Sequence, residues 1–218
     1  MPDLHSRFEL MILDFNQIPK DIADFKNIKL FFENSKRAGV DPKQPENRQK
    51  FNNNFIEKSN KRYLLSRYTE DRIEMLRGSK IAEEGRTFHL GIDIFSKDLE
   101  PVSAPCDCEI VYTGKEEGNH GWGHFVIIKP NVSITSDYIF LGHLSKKLPS
   151  LVRVSKGQVI GQLGDYKEFE NGGWSRHLHV QLIRDFSIDN PMPIGYSTKQ
   201  GLKQNMIKYP DPSMFIFD

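Results

Sequence analysis

From residue 86 onward the chain is written in short β-branched and aromatic runs cut by Gly, Pro, Asn and Asp. The runs are EIVYTG (109–114), HFVIIKP (124–130), DYIFLGHL (137–144), GQVIGQLG (157–164) and HLHVQLI (177–183). Strands at this density, with no helical stretch between them, predict a mainly β fold: an antiparallel sandwich or barrel-like sheet.

Before about residue 80 the apolar positions follow helical spacing instead. They are Ile22, Phe25, Ile28 and Phe32, then Phe51 and Phe55, then Ile73 and Leu76. Asp21 is placed to cap the first helix, and Gly39 lies just past its end. After residue 185 the motifs DNPMP and YPDP predict loop, with a little helix near 198–208. The expected division is residues 1–80 as a helical layer packed on the core, 81–185 as the β core, and 186–218 as a loop and helix extension. No internal repeat or low-complexity linker separates these parts.

Charge removes one class of partner. With 30 Lys+Arg against 29 Asp+Glu the formal net charge is +1, so no overall field draws the chain onto nucleic acid or an anionic membrane. No apolar run approaches the roughly 18 to 20 residues that span a bilayer. The opening MPDLHSRFELMILDF lacks the basic start and long apolar core of a secretory signal. The expectation is a chain in the cytoplasm, or one exported with its signal trimmed or by a non-classical route. Nothing in the sequence sets the oligomeric state. The only two cysteines, Cys106 and Cys108, sit too close together to close an unstrained disulfide loop. With no second pair they are expected as small residues in or beside a strand.

Six of the seven histidines fall between 89 and 179, and three sit at informative spacings: His89-x-x-x-Asp93 and His177-Leu178-His179. Residues two apart on a strand face one side with Cα atoms roughly 6.6 Å apart, so His177 and His179 share a space. Four residues of extended chain span about 13 Å, so His89 and Asp93 can meet at one ion only if the chain bends between them. Gly91 is the place for that bend. Two neutral imidazoles and a carboxylate would leave a fourth tetrahedral position for water, the arrangement of a catalytic zinc. Such a metal lowers the pKa of its water toward about 7. Strand histidines also serve as hydrogen-bonded structural residues, and spacing alone does not separate these readings; for His120 and His124, in GNHGWGH, the structural role is the expected one.

The blocks RTFHLGIDIF, VSAPCDCEIVYTG, GWGHFVIIK, YIFLGHLS, VRVSKGQVIGQLG and WSRHLHVQLI, in that order over about residues 86 to 183, resemble the LytM/lysostaphin-type zinc metallopeptidases. These are the M23 family of peptidoglycan endopeptidases. The resemblance implies a small antiparallel β core with its site in a groove, binding one zinc per chain. It implies His89, Asp93 and His179 as the ligands. His143 and His177 match the two non-ligand histidines, which hold or deprotonate the attacking water and stabilise the oxyanion. The implied partner is peptidoglycan or another small peptide, and the implied reaction is hydrolysis by metal-activated water. No acyl-enzyme motif such as G-x-S-x-G competes with it.

Two departures stand out: Cys108 where the family usually has Gly, and Ser175-Arg176 where Gly-Pro is common. Neither touches a ligand. Arg176 is a candidate for a substrate carboxylate or for plain solvent exposure. Trp174, in the loop DYKEFENGGW (165–174), and Trp122 are candidates to stack on sugar or peptide, against the commoner packing role. The N-terminal part matches no family block. It either supports the sheet or blocks the groove, with Tyr68, Glu70 and Arg72 close enough in sequence to His89 to do so. Two other functions remain open at this level: a catalytically silent LytM-like binding or regulatory module, and an intracellular zinc amidohydrolase on some other small peptide.

Overall fold

The structure is a computed structural model and describes residues 39, 41, 43–59, 62–131, 138–150 and 152–213. The first expected helix, with its Asp21 cap, lies outside the described residues; Gly39 is in a turn at φ +67.

Helix α1 (Pro45–Ser59) leads into β1 (Tyr63–Leu65) and two single-turn helices, α2 (Ile73–Leu76) and α3 (Lys80–Glu83). Strands β2 (Arg86–His89), β3 (Ile92–Ser96), β4 (Pro101–Ser103), β5 (Cys108–Glu116), β6 (Gly123–Pro130) and β7 (Tyr138–Leu144) follow. Then come β8 (Arg153–Val154), β9 (Val159–Gln162), a 3-10 turn at Tyr166–Glu168, β10 (His177–Ile183), β11 (Tyr196–Thr198) and helix α4 (Leu202–Lys208). Seven strands form one sheet in the order β1-β3-β10-β7-β6-β5-β8, and the pairs β11-β2 and β4-β9 flank it. Every described strand pairing is antiparallel. The mainly β, antiparallel architecture expected from the short runs is therefore the one found. No helix of the described residues is long and apolar enough to cross a membrane.

Strand alternation builds two cores from one sheet. On β10, Leu178, Val180 and Leu182 enter the larger cluster, together with Ile92 and Ile94 of β3 and Ile139 and Leu141 of β7. The intervening residues face the other way, where Phe125, Ile127, Phe140 and Ile183 form a second cluster. Both faces of the central strands are thus covered, which is why HFVIIKP reads as a continuous apolar run rather than an alternating one. Cys106 and Cys108 are unbridged and lie in the larger cluster, as small core residues.

Helix α1 is held to the sheet edge by apolar packing and by one buried amide. Ile56 packs with Leu64 of β1, with Phe55 and Phe95 against them. The Gln49 side chain, 3% exposed, donates to the Ser96 carbonyl at 2.9 Å and accepts from the Arg176 backbone N–H at 2.6 Å. It joins the helix to both β3 and the approach to β10.

Candidate metal centre and groove

His89 ends β2 and Asp93 lies in β3, joined through the bend at Gly91. Gly91 is required here for space rather than for an unusual φ. A Cβ there would stand 2.4 Å from Cε1 and 2.6 Å from Nε2 of the His179 ring. Strand register brings in the third residue, because His179 of β10 pairs directly with Asp93 of β3. The result is a tight triangle of ligand-type atoms, all buried. His179 Nδ1 lies 2.8 Å from Asp93 Oδ1 and 3.1 Å from His89 Nε2, and His89 Nε2 lies 3.4 Å from the same oxygen.

The hydrogen bonds around this triangle decide which lone pairs face it. His179 Nε2 is 3.0 Å from Gln181 Oε1, and the Gln181 amide nitrogen donates to the Ile194 carbonyl at 3.1 Å. That second bond turns the Gln181 oxygen toward the ring, so His179 Nε2 carries the proton and Nδ1 presents a lone pair. The other carboxylate oxygen, Asp93 Oδ2, accepts from Arg72 Nη1 at 2.6 Å, leaving Oδ1 to face the imidazoles. Three ligand-type atoms then crowd one point, and His89 Nδ1 is left buried without a partner. Ligand bonds of about 2.0–2.2 Å to one tetrahedral zinc place donor atoms roughly 3.3–3.6 Å apart, so the triangle is slightly tighter than that spacing, and the N,N,O donor set suits the metal. The residues fit a zinc ion.

Burial and charge set the protonation states. The Asp93 carboxyl is pushed up by burial, but the Arg72 guanidinium, with His89 and His177, outweighs this and holds it well below the usual range. For His89, burial and then Arg72 pull the imidazole down to about 3, so it is neutral at any ordinary pH. Arg72 is itself 5% exposed and gripped by two carboxylates, Glu70 at 2.7 Å and Asp93 at 2.6 Å. Its Nη1 also reaches the Tyr196 hydroxyl at 3.3 Å. Glu70 and Arg72 therefore do lie at the site, while the Tyr68 hydroxyl donates instead to the Tyr209 carbonyl.

His143 and His177 stand beside the triangle, with ring centroids 4.3 Å apart and both 4% exposed. His177 reaches its place by alternation, two residues before His179. His143 does not. Leu141 and Leu144 both belong to the larger core, three positions apart, so the strand loses its alternation between them. His143 takes up the difference at φ +63, a costly conformation for a non-glycine residue, and the turn puts its ring on the site face. His143 Nδ1 donates to the Asn171 carbonyl at 2.9 Å, and His177 Nδ1 to the Ser175 carbonyl at 2.7 Å. Each ring thus presents Nε2 as an acceptor; that of His177 lies 3.7 Å from Asp93 Oδ1. Burial, then the neighbouring His177 and His179, drive His143 well below its usual value, and burial brings His177 down to about 4. Both are neutral bases at pH 7.

These groups line a cavity of about 470 Å³. Trp122 and Trp174 line it as well, Trp122 with its indole N–H on the Pro193 carbonyl at 3.2 Å and its ring 4.7 Å from that of His179. His120 also lines it, against Trp174 at 4.7 Å. Arg176 is placed differently. Its guanidinium is held by the Lys97 carbonyl at 2.9 Å and by Asp165 at 3.2 Å, and it is not among the lining residues. The loop before β10 folds around Asn171, whose side chain takes the Gly173 and Trp174 backbone N–H groups and donates to the Trp174 carbonyl. Sequence reading missed Asn171, Gln181, Tyr196 and Arg48. Only Gln181 carried a signal, as the next residue of the same strand face in H-x-H-x-Q.

Two imidazoles and a carboxylate that could hold a metal ion lie beside two further neutral histidines in one cavity. Residues 87–191, just under half of the chain, match the model of peptidase family M23. The recognition from the ordered blocks and the family model agree on the same stretch. Among solved structures, the chain is similar to the catalytic domain of the antimicrobial peptidase lysostaphin from Staphylococcus simulans. Identity there is 26% over 54% of this chain and 80% of that one, with a TM-score of 0.37. A catalytic domain of the prophage-encoded M23 protein EnpA from Enterococcus faecalis gives 21% over 51% and 75%, TM-score 0.39. A zinc-containing peptidase from Vibrio cholerae gives 24% over 44% and 26%, TM-score 0.35. Of the longer lysostaphin structure the chain spans 44%. No curated protein sequence matches it.

Proposed function

We propose that this protein is a zinc-dependent metalloendopeptidase that hydrolyses peptide bonds, with the stem or cross-bridge peptides of peptidoglycan as its substrate class. The observation that carries the reading is the buried cluster of three ligand-type atoms, His89 Nε2, Asp93 Oδ1 and His179 Nδ1, at 2.8 to 3.4 Å from one another. When bound there, zinc supplies a Lewis acid and lowers the pKa of water to near neutrality. The chain's own groups do the rest. His143 and His177, neutral and each with Nε2 free, accept a proton from the attacking water and return it to the departing amine. The ring that has taken up that proton becomes a donor, able to hold an oxygen on which negative charge develops. Asn171 and Ser175, through their carbonyls, keep both rings in the tautomer that this requires.

The substrate class rests on the family match and on the size and lining of the cavity, which accommodates a short peptide between aromatic walls. The test is metal analysis of protein purified without added zinc, paired with His179→Ala and with turnover of purified muropeptides and oligoglycine peptides. About one zinc per chain, lost in the variant, together with metal-dependent cleavage, is the expected result. A full zinc complement with no cleavage of any peptide would leave a binding module, and protein without metal would remove the proposal.

A further inference from the structure

The wall of the groove formed by α1 carries a buried charge with no carboxylate paired to it among the described residues. Arg48 lies on α1, ahead of the family-matched segment, is 7% exposed and lines the cavity. Its guanidinium carbon sits 5.0 Å over the Trp174 ring, and Nη2 donates to the Lys43 carbonyl at 3.3 Å. Its Nε is buried without a partner, and so is the indole Nε1 of Trp174. Among the described residues no carboxylate pairs with Arg48; the acidic side chain it feels is the exposed Asp41. Arg72, equally buried, shows the contrast, since it is held by two carboxylates.

A guanidinium withdrawn from water is expensive to keep without a counter-charge. Burial pulls Arg48 down to about 10, which still leaves it cationic at neutral pH. The planar donor fork of Arg matches a carboxylate through two parallel hydrogen bonds. Position fixes what that carboxylate belongs to. The 5.0 Å step to the Trp174 ring and the 6.2 Å step from there to His143 bound the separation at roughly 11 Å, about three residues of extended peptide.

We propose that Arg48 is a substrate-binding residue that pairs with a free carboxylate of the peptide, within about three residues of the bond to be cut. This rests on the peptidase reading and narrows its substrate class to peptides that carry an acidic group close to the scissile bond. Trp174 stacks beneath the pair and shields it from water, which strengthens the interaction.

The experiment measures peptide binding to the full-length protein by tryptophan fluorescence, with two probe pairs. One pair is pentaglycine and its C-terminal amide. The other is an amide-capped Ala-Glu-Lys-Ala peptide and the same peptide with Gln for Glu. In at least one pair the acid form should bind about tenfold tighter or more. R48Q should bind both forms alike, and R48K should retain part of the preference. The pair that responds tells a terminal carboxylate from a side-chain one. Equal binding of acid and amide in both pairs overturns the proposal, and so does a preference that survives in R48Q. Should R48Q fail to fold, the ratios for the unaltered protein and R48K still decide. Peptides that are never cut but keep the Arg48-dependent acid preference would sink the hydrolase and leave this inference standing. Cleavage that ignores the carboxylate would do the reverse.

Discussion

The two sides of the groove come from different parts of the chain and are built on different principles. One side is the β core, where β3, β7 and β10 supply Asp93, His143, His177 and His179. The other is α1 together with residues 63–72, which supply Arg48, Asn52, Phe55, Glu70 and Arg72 to the same cavity. On the first side, positions are set by ladder register: the pairing of His179 with Asp93 is a backbone fact before it is a side-chain contact. On the second, α1 is clipped to the sheet edge through a few side chains and reaches the groove by packing, while Glu70 and Arg72 are held by backbone bonds to β2. Chemistry that tolerates errors of well under 1 Å belongs on the rigid element, and selection of substrate can sit on the appended one.

The sharpest way to break this comparison is to remove a proton-handling group while leaving the ligands alone. His143→Ala should lower peptide turnover by about 10² to 10⁴ while the zinc content stays near that of the unaltered protein. Turnover that falls only in step with metal loss would mean that His143 merely supports the ligands. A smaller effect is expected from Arg72, which comes from the appended side yet bonds to a ligand. Arg72→Met should weaken zinc binding by about 10- to 100-fold in competition with a chelator, because Asp93 loses the donor that fixes Oδ1 toward the imidazoles. Arg72→Lys should recover part of it. An unchanged affinity would reduce Arg72 to a plug in the groove and restore a clean division between the two sides.

The two sides also differ in how much of them could be read from the sequence. The large strands were legible because short β-branched and aromatic runs bounded by turn residues mark them, and β5, β6, β7 and β10 fall where those runs stand. His89, Asp93, His177 and His179 were legible because their spacings combine with a family pattern, and the structure brings all four together. The face of His143 was not, since φ +63 breaks the alternation that a reader would extrapolate. Arg72 was legible only as a nearby residue, and nothing in a linear reading couples it to Glu70 and Asp93 at once. Arg48 over Trp174 joins residues far apart in sequence, and neither position carries a local signal of the other. For Arg176 adjacency to the H-x-H left substrate and solvent both open, and its side chain is taken by Asp165 and the Lys97 carbonyl.

The smallest effect expected concerns how firmly the appended side is attached. Gln49 donates to the Ser96 carbonyl, accepts from the Arg176 N–H, and also bonds to Asn53 at 2.8 Å. Gln49→Ala strips partners from two buried backbone groups, which costs about 2 kcal/mol or a little more in chemical denaturation. The β ladders that carry the ligands keep their own hydrogen bonds, so zinc content should not change. If α1 acts only through substrate contact, the loss of this clip should raise KM for peptide with little change in kcat, since the bond-breaking groups stay in register. A fall in kcat of the same size as the rise in KM would show instead that α1 props up β3 and β10. The helix would then belong with the catalytic frame rather than with the specificity wall.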